Sequence, residues 1–311
     1  MAKYVRSGNV GLVGILLVSA LALVSGALSG VAFHLAGRYF YIVGIFPLLW
    51  GLLVGAGTAY GVRQGKCRSA LIGAAAGLVA GASSYGLFQV LGNLHHRELV
   101  RAAWSGKASS DQDLDRWYDE GLSKSFGGTG FWAQLSLRAQ AGISLRSHGS
   151  SGNGKSPTLT GIGVFLYWLA ELAVVAGIAL ALPMAAAKEP FCEPCEAWYE
   201  KKDLIGIRRA SLEEARSRLA AGDYSGLAAC FTPDRQDGIL SLEKCSRGCN
   251  GQVRVKLTAI VRDKRGKTVS RKTAFEDMVT PELAETLQRA AAGPGAPPPG
   301  GIGGAVPPFA T

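Results

Sequence analysis

Residues 161–187, GIGVFLYWLAELAVVAGIALALPMAAA, run for 27 positions with one charged residue, Glu171. A helix of about 20 residues crosses a hydrocarbon core of about 30 Å. Lipid offers no partner for loose backbone amides, so a span of this kind satisfies them internally as a helix. Working outward, three more blocks have the same character: 10–33, 39–62 and 69–91, none of which contains a charged residue. The chain is 48% hydrophobic and 18% charged, and the apolar residues are gathered into these blocks rather than spread. That distribution points to a membrane protein. The expected fold class is mainly α: a four-helix transmembrane bundle with a small C-terminal α+β, zinc-ribbon-like cytoplasmic domain. The leading MAKYVRSG resembles the charged start of a signal peptide, but the apolar run after it is longer than a signal's 7–15 residues. The first helix is therefore expected to be retained.

The predicted organisation is three transmembrane helices within 1–92, an extracytoplasmic loop with amphipathic helices over 93–160, and a fourth transmembrane helix over 161–187. A cysteine-rich zinc-ribbon-like domain over 188–292 and a disordered Pro/Gly-rich tail over 293–311 complete it. Orientation follows from Lys and Arg near the helix ends. Lys3 and Arg6, then Arg63, Lys66 and Arg68, then Lys188, Lys201 and Lys202 fall on one side, against Arg38 in the short opposite connection. Both termini are expected in the cytoplasm. The net charge of +10 then reflects topology and attraction to anionic lipid, and no nucleic-acid partner is inferred from it.

GSSGNGKS at 149–156 matches the phosphate-loop pattern G-x-x-x-x-G-K-[ST]. A working loop of that kind lies between a buried strand and a helix N-terminus. Here ISLRSH precedes it and Pro157 follows. The match is read as chance, a Gly/Ser hinge with no nucleotide partner. In the same loop, Asp111, Asp113 and Asp115 fail as a calcium loop, because Arg116 stands where Gly is required and Leu122 where a bidentate Glu is required. SSDQDLDRWYDEGL instead suggests a helix capped by Ser110 or Asp111 with Leu114, Trp117, Tyr118 and Leu122 on one face, and FWAQLSLRAQAGISL a second with Phe131, Trp132, Leu135, Ala139 and Ile143 on one face.

The spans carry small residues at spacing four: Gly26 and Gly30, Gly51 and Gly55, Gly57 and Gly61, and the row Gly73, Gly77, Gly81. Such rows let helix backbones approach closely. They predict a tightly packed bundle, with a homo-oligomer built on the third helix as the alternative. Glu171 is expected about 15 Å below the outer surface, ten residues into its span at about 1.5 Å each. Counting depth along the other spans places Ser25, Trp50, Ser83 and Ser84 near its level, an intramembrane polar cluster in which Glu171 donates to a serine and Trp50 donates to Glu171. Structural glue and proton or cation handling are both readings of such a group.

In the tail, Cys192 and Cys195 in PFCEPCEAWYEKK and Cys245 and Cys249 in KCSRGC form two short-spaced pairs, 49 residues apart. Four thiolates in that pattern suit a structural Zn²⁺ held tetrahedrally. A hairpin follows, VRVKLTAIVRD, KRGK, TVSRKTAF, and a helix is expected over 281–292. Between the pairs, Ser211 and Glu214 suggest a capping box and a helix to Ala221. Cys67 and Cys230 are left over as free thiols. With little apolar core expected, zinc would contribute on the order of 10 kcal/mol to the tail's folding. A redox-active C-x-x-C at Cys192 and Cys195 and idle thiols are the other readings.

FPLLWGLLVG in the second span, VFLYWLAEL in the fourth and PFCEPCEAW beyond it resemble uncharacterised bacterial multi-pass membrane proteins with a cysteine-bearing cytoplasmic tail. The resemblance implies placement in a bacterial inner membrane and carries no activity. The expected function is a membrane scaffold or adaptor, leaning away from an enzyme, with the lipid bilayer and a protein partner at the cytoplasmic domain. The rivals are a small transporter or channel using Glu171 and a membrane-tethered thiol redox protein.

Overall fold

Four long helices follow the four apolar blocks in the computed structural model, which describes residues 7–104, 110–144, 158–232, 237–249, 251–263, 265 and 267–292. They are α1 (Leu12–Gly37), α2 (Ile45–Gln64), α3 (Ala70–Trp104) and α6 (Ile162–Ala186), the last reached through α4 (Asp111–Phe126), α5 (Phe131–Ala141) and the short antiparallel pair β1 (Ile143–Ser144) and β2 (Thr158–Leu159). All four are long and apolar enough to cross a membrane. Their outward faces stay apolar: Leu12, Val13, Leu71 and Ile162 are among the exposed side chains. Such a surface suits lipid and suggests membrane association. The match at 149–156 and the tail 293–311 lie outside the described residues.

The chain divides into two units, Gly8–Lys188 and a second containing Glu189–Thr311. In the first, α3 packs on α6 and α1, α2 packs on α6 and α1, and α2 and α3 meet across the middle. The small-residue rows make these seams. A Cβ on Gly77 would stand 2.0 Å from the Ala179 carbonyl oxygen, and one on Gly26 would stand 2.8 Å from that of Ala80. Gly51 and Gly55 face Val175, Ile178 and Leu182, and Gly57 and Gly61 face Ser25 and Leu21. The row Gly73, Gly77, Gly81 on the third span is thus occupied by α6 of the same chain.

Two boundaries depart from expectation. The second helix begins at Ile45 rather than 39, because Gly44 stands at φ +83° at its N-cap and the residues before it do not continue the helix backward. The third runs to Trp104 rather than 91, a continuous helix of 35 residues. Its polar extension is held by α4: Arg97 and Arg101 pair with Asp115, at 3.1 Å from Arg97, and Arg97 also reaches Asp119. The Ser110 hydroxyl caps α4 by accepting from the Asp113 amide, and Gly127 at φ +70° ends it. Leu114 and Leu122 are buried as expected, but on α5 only Leu135 and Ala139 of the expected face are, while Trp132 is exposed.

The second unit is richer in strands than its sequence suggests. It holds β3 (Phe191–Cys192), β4 (Ala197–Ile207), α7 (Leu212–Ala221), β5 (Phe231–Thr232), β6 (Gly238–Cys245), β7 (Val253–Arg262), β8 (Thr268–Val279) and α8 (Pro281–Ala292). The sheet order is β3-β4-β6-β7-β8, antiparallel throughout, with β5 added to β4. Leu240 and Leu242 of β6 and Val253, Val255 and Leu257 of β7, at the strand period of two, build a core with Ile207, Leu219, Leu227 and Leu287. Cys230 belongs to that core and is fully buried. The sparse core expected of this region is corrected here: the sheet and its two helices bury a contiguous apolar cluster independent of the paired cysteines. Ser211 stands at the N-cap of α7 without a side-chain cap bond, so the capping box does not close.

Candidate metal centre and the buried carboxyl

Cys192 ends β3, and the chain turns at once into β4. Phe191 pairs with Trp198 and Cys192 with Ala197, and Glu196 takes φ 47° to close the turn. Cys195 sits in that turn. On the neighbouring strand, Tyr199 pairs with Cys245, the last residue of β6. The next turn carries Gly248 at φ +66°, whose amide bonds the Cys245 carbonyl at 3.0 Å, and delivers Cys249. Two tight turns at one end of paired strands thus bring together cysteines 49 residues apart in sequence.

All four Sγ atoms lie within 4.8 Å of one another, with Cys192 and Cys249 at 3.5 Å. Four thiolates at about 2.3 Å from a tetrahedral zinc stand about 3.8 Å apart. The observed spacings, from 3.5 Å up to at most 4.8 Å, bracket that edge, so the set fits a metal ion of that size after adjustment of about 1 Å or less. All four are free thiols rather than disulfide-bonded. A hydrogen bond from the Cys195 thiol holds Cys249 down to about 7, while the same bond pushes Cys195 up to about 12. Burial pushes Cys192 up. The lowered thiol of Cys249 thus lies beside three more that a bound cation would deprotonate. Cys67 is buried in the helical unit and Cys230 in the sheet core, both apart from this cluster.

The helical unit holds the second group. Glu171 is buried, and the Tyr85 hydroxyl donates to its Oε2 at 3.2 Å. Trp50 does not donate to Glu171: its indole N–H donates to Ser84 Oγ at 2.8 Å, and its ring stacks between Phe33 and Tyr85. Ser83 points outward and is exposed. Ser25 bonds the Ala22 carbonyl and packs on Gly57, away from the carboxyl. The expected cluster thus keeps Glu171, Trp50 and Ser84 in one neighbourhood and loses Ser25 and Ser83. The reason is offset. Depth counted from block ends ignores the axial slide set by the glycine seams, which bring Gly30, not Ser25, to the level of Ser84.

Sequence reasoning missed Tyr85, Gln89, Asn93 and Arg138. The first three recur every four residues along α3, which places them on one face, and that period within SSYGLFQVLGN was the available signal. Arg138 of α5 donates through Nη1 to Gln89 Oε1 at 3.1 Å and to Asn93 Oδ1 at 3.0 Å, and lies over the Trp168 ring at 5.4 Å. Only sequence distance hid it.

No protein-family model, curated protein or solved structure matches this chain.

Proposed function

We propose that this protein is a non-enzymatic scaffold of a bacterial inner membrane. In this reading, four helices span the bilayer with both termini in the cytoplasm, and Cys192, Cys195, Cys245 and Cys249 hold a structural zinc that shapes a cytoplasmic docking domain. The observation that carries it is the convergence of four thiols within 4.8 Å at the end of a sheet that already has a core. A metal there locks two turns without being needed to fill the interior. Structural sites are closed by four protein ligands in this way, whereas a catalytic zinc keeps a position open. A thiol redox role fits less well, since redox chemistry wants its nucleophile at a helix N-terminus, and all four cysteines, Cys249 with its lowered thiol included, lie at strand ends and turns. Cys195 is pushed the other way, and Cys192 lies in a hairpin. For the docking surface, the far end of the β7–β8 hairpin offers Arg265, Lys267, Arg271 and Lys272 with exposed Val269, a basic and partly apolar face suited to an acidic protein partner.

The test is metal analysis of the full-length protein, purified in detergent under reducing conditions. About one zinc per chain is expected, lost in Cys195→Ser and Cys245→Ser and kept in Cys67→Ser and Cys230→Ser. A protein that is metal-free under these conditions, and in which Cys192 and Cys195 join as a disulfide once the reductant is removed, would overturn the reading in favour of redox chemistry. Ion flux in liposomes separates the scaffold from the rival built on the buried Glu171, a small transporter or channel.

A further inference from the structure

We propose that Glu171 exchanges protons with the solution on the α5 side of the helical unit, through water held along Tyr85, Gln89, Asn93 and Arg138. The inference concerns the helical unit alone, so its failure and that of the zinc site are separate events.

Three polar atoms carry it. Glu171 Oε1, Gln89 Nε2 and Asn93 Nδ2 are buried without a hydrogen-bond partner among the described residues. Their residues are 8%, 4% and 3% exposed. Native interiors leave few such groups, and those that persist call for a water or an ion. These three form a series rather than scattered defects. Tyr85, Gln89 and Asn93 share one face of α3, and the eight steps from first to last cover about 12 Å along the axis. Tyr85, at the inner end, is bonded to the carboxyl. At the outer end Arg138 is bonded to both amide oxygens, and the absence of a side chain at Gly92 makes room for it: a Cβ there would stand 2.9 Å from Arg138 Nη1.

Arg138 also decides which way the amides face. A guanidinium only donates, so it takes the oxygen of each amide and leaves each NH₂ to point elsewhere. Two unmatched donors on α3 and one unmatched acceptor on α6 are complementary, and a buried water joins about three such groups. Water accepting from Gln89 Nε2 and donating to Glu171 Oε1 satisfies both. Arg138 is half-buried, and among the described residues its Nε and Nη2 groups have no hydrogen-bond acceptor, so the outer end of the series is the end nearer solution.

The titratable groups around this series are few. Tyr85 of α3 bonds Glu171 directly; Tyr167 of α6, bonded to Tyr41, and Arg138 of α5 act on Tyr85, Tyr118 of α4 acts on Arg138, and α2 contributes the non-titrating Trp50. At the outer end His34 and Arg38 of α1 and His95 and His96 of α3 lie near Arg138. No cation forms an ion pair with Glu171 among the described residues. With Glu171 protonated, the acid proton sits on Oε1 and is donated to the bridging water; in the exchange step it passes to that water, which releases one of its own protons outward to solution and then donates back to Oε1 of the carboxylate left behind. Uptake is the reverse. The fixed charge of Arg138 opposes a cation at the mouth, so the path carries single protons slowly rather than a stream of ions.

The experiment is infrared spectroscopy of the full-length protein in nanodiscs, following the C=O stretch of a buried protonated carboxyl, assigned by its loss in Glu171→Gln. In the wild type the band shifts within seconds of transfer to D₂O. In the double variant Gln89→Leu/Asn93→Leu, which replaces the water with apolar side chains, exchange slows at least about tenfold, the equivalent of about 1.4 kcal/mol on the barrier. Near-UV circular dichroism of the Trp50 stack reports whether that variant keeps its fold, and Asn93→Leu alone gives the same reading where it does not. A wild-type band that stays unexchanged for hours overturns the proposal, as does a folded variant that exchanges as fast as the wild type.

Discussion

Arg254 lies between two carboxylates on neighbouring strands, 2.6 Å from Glu243 and 2.8 Å from Glu276, with its side chain 11% exposed. Removing it would leave the buried Glu243 and the half-buried Glu276 as neighbouring unpaired charges, and breaking a buried pair in this way costs about 3–5 kcal/mol. Arg254→Ala should lower the stability of the sheet unit by that amount in chemical denaturation. A loss under 1 kcal/mol would show that the carboxylates find water instead. Asp115 is the half-buried counterpart. Hydrogen bonds from Arg101, and after them Arg97, hold its carboxyl below the usual range. A depressed carboxyl contributes stability above its unfolded value and loses it as pH falls through the folded one. The attachment of α4 to α3 should therefore be indifferent to pH from 8 to 5 and loosen only in stronger acid. Asp115→Asn should produce that loosening at neutral pH, read as faster amide exchange in α4. Neither pairing could be read from sequence: Arg254 and Glu276 are 22 positions apart and meet only through strand register.

At the scale of elements, the glycine seams make a sharp contrast. Gly77 has the Ala179 carbonyl where a Cβ would go, whereas Gly86 on the same helix has nothing within 4 Å. Gly77→Ala must push α3 from α6 and should cost about 1–3 kcal/mol. Gly86→Ala should be neutral or stabilise by about 0.5–1 kcal/mol, since helical glycine is entropically unfavourable. Thermal unfolding in detergent compares the two, and equal effects would refute the close approach at Gly77. The elements were unevenly legible. The apolar blocks anticipate α1 and α6 to within a few residues, and α8 matches at both ends because Pro281 opens it and an apolar stripe continues through it. The strands β4 and β6 escaped notice. In AWYEKKDLIGI the middle is charged, and β6 is buried on both faces, so neither displays the alternation of a half-buried strand.

For the whole molecule, a core separate from the cysteines changes what metal removal should do. A chelator should free the end of the sheet around Trp198, seen as a fluorescence change, while the far-UV signal of the strands persists, because Leu240, Leu242, Val255 and Leu257 are buried without help from the metal. Full loss of strand signal would restore a zinc-dependent fold. The proposed topology has its own check: a reporter active only outside the cytoplasm should be active when fused after residue 125 and silent at the C-terminus, and the reverse result would invert the orientation. By itself the sequence determined that there are four long apolar helices, which residues let them pack closely, and which four cysteines belong together. Each of those is written in local pattern: hydropathy over one span, spacing of four along one helix, two cysteines at one turn. Only the tertiary structure decided that Trp50 bonds Ser84, that Glu171 takes Tyr85, and that Arg138 reaches Gln89 and Asn93. The polar face of α3 is legible in its period of four, but which partner each of its residues meets depends on the axial slide of one helix against another, which arises from packing distant segments and is not written in either one.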